Sequence, residues 1–241
     1  MRRARKFALL LSHRRWVRGL WHGVAAAVEH RRLPISRRTA TVVDVGAHKG
    51  QFALYARELL PSAEVHCFEP LDEPRTILGR LFAEDSSVHV YPFALGASEG
   101  VADIFVSQRN DSSSLLRITE QQVSRFPGTE LASVRSTTVQ QLDVALRDAL
   151  LKKPVLLKID VQGSELDVLK GGTNVLRACS QVLVECSFVE LYDRQPLFDA
   201  IYTHLAERGF VLSAANCSAR DAMGAWLQAD ILFQSTQMLG K

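Results

Sequence analysis

Apolar residues fall along this chain in two alternating rhythms, short unbroken runs and longer stretches at helical spacing. Thr41-Val42-Val43-Asp44-Val45 is rich in β-branched residues and predicts a buried strand. Phe52, Leu54, Tyr55, Leu59 and Leu60 then recur at helical spacing before Pro61. Between the two lies Gly46-Ala47-His48-Lys49-Gly50, a glycine turn handing a strand over to a helix. The same grammar predicts strands over 64–68, 88–95, 154–160, 181–185, 210–214 and 229–233, with helices over 72–82, 165–170 and 197–208. Strands alternating with helices build a parallel sheet with right-handed crossovers. The pattern therefore predicts an α/β fold around a seven-stranded, mostly parallel sheet. One region breaks it: 101–106 and 135–139 alternate like exposed strands around a polar stretch, 107–133, that contains Asn110-Asp111-Ser112-Ser113-Ser114 and Phe126-Pro127-Gly128. This predicts an inserted β excursion carrying a loop, either a lid or binding loop or a plain solvent-exposed connection.

With 241 residues, 47% of them hydrophobic, the chain has enough apolar surface for one full core with a small appendage. The net charge of +3 conceals an asymmetry. Residues 1–38 carry eleven Lys or Arg against the single acid Glu29, a charge of +10, which leaves 39–241 at −7. The expected organisation is a basic amphipathic helical extension over 1–38 and one α/β domain over 39–241. In the extension, Val17, Leu20, Trp21, Val24 and Val28 fall on one helical face and Arg14, Arg18 and His22 on another, with Trp16 near the boundary. Such a helix either packs its apolar face on the body or lies in the interface of an anionic membrane. No stretch approaches the roughly 18 apolar residues of a membrane span. Cys67, Cys179, Cys186 and Cys217 show no zinc-type spacing and read as reduced thiols. These features predict a cytoplasmic protein, peripheral at the inner face of the cell membrane if the extension docks there. No metal ligand set is assigned, and nothing in the pattern specifies an oligomer.

The first turn is GxxxG, without the middle glycine that lets a dinucleotide's pyrophosphate approach the backbone. A ligand lacking a diphosphate is therefore expected. Glu69 ends the second strand, 23 residues beyond Gly46, where a carboxylate's paired acceptor oxygens suit the two hydroxyls of a ribose. Together these features fit S-adenosylmethionine. The predicted cofactor contacts are Asp44, Gly46, Ala47, His48, Gly50, Glu69, Pro70, Ala94 on the third strand, and Asp160. The segment Lys158-Ile159-Asp160-Val161-Gln162-Gly163-Ser164-Glu165 repeats the strand, turn and helix grammar with an acid at the strand tip. Asp160 should then open onto the same crevice, to bind the cofactor's ammonium, orient a hydroxyl or hold a metal. The candidates for taking a proton from an acceptor hydroxyl are Asp160, Glu165 and Glu185. Ser112, Ser113 and Ser114 are expected to close over cofactor or acceptor, and Tyr192 either stacks on the acceptor or is a core or rim aromatic.

Four segments, Val42 to Phe52, Phe68-Glu69-Pro70, Lys158 to Gly171 and Glu185 to Tyr192, resemble the FkbM family of methyltransferases over roughly residues 40 to 235. The resemblance implies a class I methyltransferase Rossmann-like fold, S-adenosyl-L-methionine as donor, and O-methylation of a sugar or polyketide-type hydroxyl. Many members carry Glu where this chain has Gln162, and losing that carboxylate weakens the case for a metal there. The leading expectation is an O-methyltransferase acting on a sugar hydroxyl of a bacterial polysaccharide, lipopolysaccharide or glycolipid, hence on a sugar-containing or lipid-linked small molecule. A polyketide or other secondary metabolite is the alternative acceptor. Nucleic-acid methylation, which the basic segment favours, is disfavoured by the acidic body. It is disfavoured also by the lack of an Asn/Asp-Pro-Pro-aromatic sequence after the 154–160 strand. A non-catalytic module that only keeps the fold fits poorly with the Gly46, Gly50, Glu69 and Asp160 set.

Overall fold

The computed structural model describes residues 3–238. Two short helices come first, α1 (Arg3–Leu11) and α2 (Arg14–Trp21). The body begins with β1 (Thr41–Val45), α3 (Gln51–Leu59), β2 (Glu64–Phe68), α4 (Asp72–Leu81) and β3 (Val88–Tyr91). An excursion follows, made of β4 (Ala94–Leu95), β5 (Gly100–Ser107), α5 (Glu120–Arg125) and β6 (Leu131–Gln140). The chain then runs through α6 (Leu142–Ala145), β7 (Val155–Ile159), α7 (Glu165–Gly171), α8 (Thr173–Ala178), β8 (Cys179–Ser187), α9 (Phe198–Ala206), β9 (Phe210–Arg220) and β10 (Trp226–Ser235).

Seven strands form one sheet in the order β3-β2-β1-β7-β8-β10-β9, in which β10 alone runs against its neighbours. This is the class I methyltransferase arrangement of a Rossmann-like fold. Period-two alternation fills both faces. Val42, Val65, Leu156 and Leu183 point into one core with Phe52 and Leu54 of α3, while Val43, Val45, Leu157 and Ile159 point into the other with Val168 and Leu169 of α7. Covered on both sides, the central strands read as continuous apolar runs.

Three expectations are corrected. The strand expected over 88–95 is two strands. Pro92 has no N–H to donate, so β3 ends at Tyr91 and β4 joins a separate small sheet ordered β4-β6-β5. The loop between β5 and β6 is partly ordered, with a 3₁₀ turn over Asn110–Ser112 and α5, whose Thr119 side chain accepts a cap bond from Gln122 N. The third correction concerns the N-terminal segment. Its helix stops at Trp21 and the chain turns at Gly23, in the left-handed region at φ 72°. Val24, Ala26 and Ala27 then follow a non-helical path into the core. Trp16 is buried and its indole N–H donates to Leu54 O at 3.3 Å, whereas Trp21, predicted on the same face as Val24 and Val28, is 83% exposed. The four cysteines are free thiols, three of them buried. Among the described residues no helix is long and apolar enough to cross a membrane.

Candidate active site

A cleft of about 410 Å³ opens at the C-terminal ends of β1, β2, β7 and β8, with the small sheet's loop and residues 27–30 along its rim. Its floor is the glycine turn after β1. Gly46 sits at φ 77°, and a Cβ there would lie 1.8 Å from the Asp160 carbonyl oxygen. Glycine thus allows the β1 and β7 turns to touch. Gly50, at φ 90°, starts α3 where a Cβ would press on Leu78. His48 also adopts a positive φ, which turns its backbone N–H onto Glu69 Oε2 at 2.8 Å.

Glu69 is 5% exposed and lines the cleft. Its other oxygen accepts from Leu71 N at 2.8 Å, so each oxygen holds one backbone donor and keeps a second acceptor site. Burial pushes its pKa up to about 7, against the pull of those two N–H groups. The His48 ring is pinned rather than free. Gln51 Nε2 donates to Nδ1 at 3.0 Å, and a proton on Nε2 reaches Asn110 Oδ1 at 2.8 Å. That neutral tautomer fits both partners, and burial lowers the ring's pKa. His48 therefore latches the excursion loop to the glycine turn. Ala47, Pro70 and Ala94 line the same cleft.

Behind the floor, Lys158 Nζ lies 3.1 Å from Asp44 Oδ1, 3.6 Å from Asp160 Oδ2, and donates to Gly46 O at 3.1 Å. Burial pulls the ammonium toward deprotonation, but the charges of Asp44 and Asp160 prevail and hold it charged, with its pKa raised. Asp44 is fully buried, has no partner among the described residues besides this off-line ion pair, and does not reach the cleft surface. The expectation of a direct cofactor contact at Asp44 is thereby corrected. As the fourth of five residues in a strand covered on both faces, it can act on the cleft only through Lys158.

At the other end of the cleft Gln162 sits between two carboxylates. Its Nε2 donates to Asp160 Oδ1 at 2.8 Å and to Glu185 Oε2 at 3.0 Å, and its own backbone is left-handed at φ 58°. Gln228 Nε2 donates to the same Oε2 of Glu185 at 3.1 Å. Burial, reinforced by the charges of Asp160, Asp230 and Glu165, raises the Glu185 pKa well above the carboxylate range.

Two further expectations fail on geometry. Glu165 is 2% exposed and turned away from the cleft, accepting from Gly163 N at 2.9 Å and Val161 N at 3.3 Å. It staples its own turn, as the first residue of α7 is placed to do. Tyr192 is fully buried and cannot stack on an acceptor. Its hydroxyl lies 2.9 Å from Gln162 Oε1 and 3.0 Å from Ser112 O, so it fixes the Gln162 amide from behind. Ser112, Ser113 and Ser114 do line the cleft, but their hydroxyls are engaged locally. Ser114 Oγ donates to Gln162 O at 2.6 Å, Ser113 Oγ accepts from Ser107 N, and Ser112 Oγ donates to Asp111.

Sequence reasoning missed His30. A 3₁₀ turn brings it to the cleft rim, Nδ1 3.0 Å from Ala27 O and Nε2 3.6 Å from Asp230 Oδ1. Burial lowers its pKa, but Asp230 and Ala27 outweigh that and raise it overall. Nothing in the local spacing marks this residue, because tertiary packing alone delivers it. Gln228, from the last strand, was missed for the same reason.

The family model described as the methyltransferase FkbM domain matches residues 44–212. The chain belongs to the FkbM methyltransferase family. Methyltransferase 1 of Beauveria bassiana is 30% identical over 184 residues, 71% of this chain and 72% of that protein. The 2-O-methyltransferase NoeI of Sinorhizobium fredii is 24% identical over 190 residues, 76% of this chain and 78% of that protein. Among solved structures, M. capricolum TrmK in complex with S-adenosyl-homocysteine aligns with a TM-score of 0.49 at 6% identity, covering 88% of this chain and 69% of that one. This FkbM protein is a methyltransferase whose donor is S-adenosylmethionine. Its residues fit that group, since Glu69 keeps two acceptor sites on the cleft and Gly46 leaves a cradle that a side chain would fill.

Proposed function

We propose that this chain O-methylates a hydroxyl of a sugar in a bacterial polysaccharide, lipopolysaccharide or glycolipid. The observation that carries this reading is the Asp160-Gln162-Glu185 bridge. Both amide donors on Glu185 go to Oε2, and Oε1 has no partner among the described residues of a cleft wall. With both amides on Oε2, Oε1 is left to accept a proton from a hydroxyl seated in the cleft. The bound donor supplies an electrophilic methyl on a sulfonium. Glu69 would hold the ribose hydroxyls of a bound donor and Asp160 its ammonium. Glu185 Oε1 would take the proton of the acceptor hydroxyl, and holding that hydroxyl in line with the donor would provide much of the rate. Ser112, Gln122, Ser218 and Gln228 give the cleft a hydroxyl and amide lining suited to a polyol. The name of the NoeI relative supports oxygen as the acceptor atom.

The test is Glu185→Gln, assayed with labelled S-adenosylmethionine and glycolipid extract. A rate reduced at least ~100-fold, with donor affinity within about twofold of wild type, is the expected result. An unchanged rate would remove Glu185 from the chemistry.

Docking on an anionic membrane near a lipid-linked acceptor is supported by Phe7, Leu11 and Trp21, which stay exposed in the +10 segment while Val24 and Val28 are used by the core. Trp21→Ala should reduce co-sedimentation with anionic vesicles and leave donor binding intact. Equal sedimentation of both proteins would reject docking through this residue.

A further inference from the structure

The outer edge of the sheet carries a cluster that methyl transfer does not use. Glu64 and His66 stand two residues apart on β2 and so share one face, and the β2/β3 register sets His89 directly beside His66. The two imidazoles stack with centroids 4.9 Å apart. One ligand atom from each of the three residues lies within 4.8 Å of the others, which makes this the convergent cluster of His, Cys, Asp or Glu among the described residues.

A second observation concerns the wiring of His66. This side chain is 4% exposed, and its Nδ1 lies 3.0 Å from the Tyr91 hydroxyl. Its Nε2 is buried and has no hydrogen-bond partner among the described residues. An orphaned buried polar atom is costly, and native proteins leave few of them. An Nδ1–H donated to Tyr91 would leave the Nε2 lone pair free, which is how a metal-binding histidine is usually held by its outer partner. Glu64 is also prepared, because its Oε1 accepts from the exposed Lys152 at 2.8 Å and Oε2 has no partner among the described residues. His89 is exposed on the edge strand, so a ring rotation can draw the three atoms from 4.8 Å toward the roughly 3.4 Å edge of a tetrahedral zinc site.

We propose that Glu64, His66 and His89 bind a zinc-class divalent transition-metal ion at the β2/β3 edge, with water in the fourth position. Two imidazoles and one carboxylate suit zinc, cobalt or nickel and disfavour magnesium, which prefers an all-oxygen octahedron. The ion would cross-link β3, a four-residue edge strand bonded on one side only, to β2. Tyr91 would relay that restraint inward, since its ring stacks on Phe68 at 4.5 Å and Phe68 lines the cleft.

The test uses the full chain after chelator treatment and dialysis, titrated calorimetrically with zinc chloride and, separately, magnesium chloride. One equivalent of zinc with no magnesium heat is expected, together with a zinc-dependent rise in Tm. His89→Ala and Glu64→Gln alter exposed or half-exposed positions and should fold. Each should weaken zinc binding by about tenfold or more and abolish the Tm rise. Cobalt loading should give d–d bands of a four-coordinate nitrogen and oxygen site. Equal zinc affinity in wild type and both variants, or a thiolate charge-transfer band implicating a cysteine, would overturn the assignment.

Discussion

Replacing Lys158 by Met keeps the length and apolar stem of the side chain but removes its charge. Lys158 and Asp44 are both buried, at 6% and 0% side-chain exposure, and Asp44 has no other partner among the described residues. Breaking a buried pair from one side costs about 3–5 kcal/mol, because the remaining charge is left uncompensated. The hydrogen bond from Lys158 to Gly46 O adds about 1 kcal/mol. In a domain of this size that sum corresponds to a Tm lowered by roughly 10 °C. The double variant Lys158→Met with Asp44→Asn removes the stranded charge, and should recover most of the loss except the Gly46 contribution. The pH dependence has a definite sign. Burial already raises the Asp44 pKa above its usual value, and without the ammonium it rises further. A raised carboxyl pKa costs stability at pH values above it, and the cost fades as pH falls toward the unfolded value. The gap between variant and wild type should therefore narrow from pH 8 to pH 5 in urea denaturation. A loss under about 1 kcal/mol, or no rescue by Asp44→Asn, would refute the view that this pair holds the cleft floor.

Gly46→Ala should abolish donor binding and lower stability by more than about 2 kcal/mol, since left-handed strain adds to a backbone clash with Asp160. Gly79→Ala is its control: it lies in α4 with open space around its Cβ position, so thermal denaturation should show unchanged or slightly higher stability. Donor affinity measured by calorimetry should weaken as pH falls below about 7, because protonating Glu69 converts an acceptor oxygen to a donor. Glu69→Gln should bind more weakly and lose that pH dependence, and a pH-dependent variant would assign the titration to another group.

Residue pattern alone was enough to place the seven strands of the main sheet, though it ran the third on past Pro92, together with the glycine turn and the acids at the strand tips, because each depends on local periodicity or on the end of a buried run. Glu69, Asp160 and Glu185 reach the cleft for that reason. Asp44, Glu165 and Tyr192 do not, since spacing identifies an element without saying which way a residue near its end faces. The N-terminal segment misled by its helical spacing. Val24 and Val28 keep the apolar period of α2, yet Gly23 breaks the helix and the same residues enter the core by another path. His30, Gln228 and the His66–His89 pair are long-range products of packing and strand register, invisible to any window along the chain.

The claim at the centre of this account is that the cleft carries a methyl group to an oxygen on a sugar. The protein should be incubated with methyl-labelled S-adenosylmethionine and a glycolipid extract from its own cell, and the product mapped by mass spectrometry. The expected product carries a single labelled O-methyl group on a glycosyl residue, absent when Glu185→Gln is used. Label on nitrogen or carbon, or on a product without sugar, would contradict it.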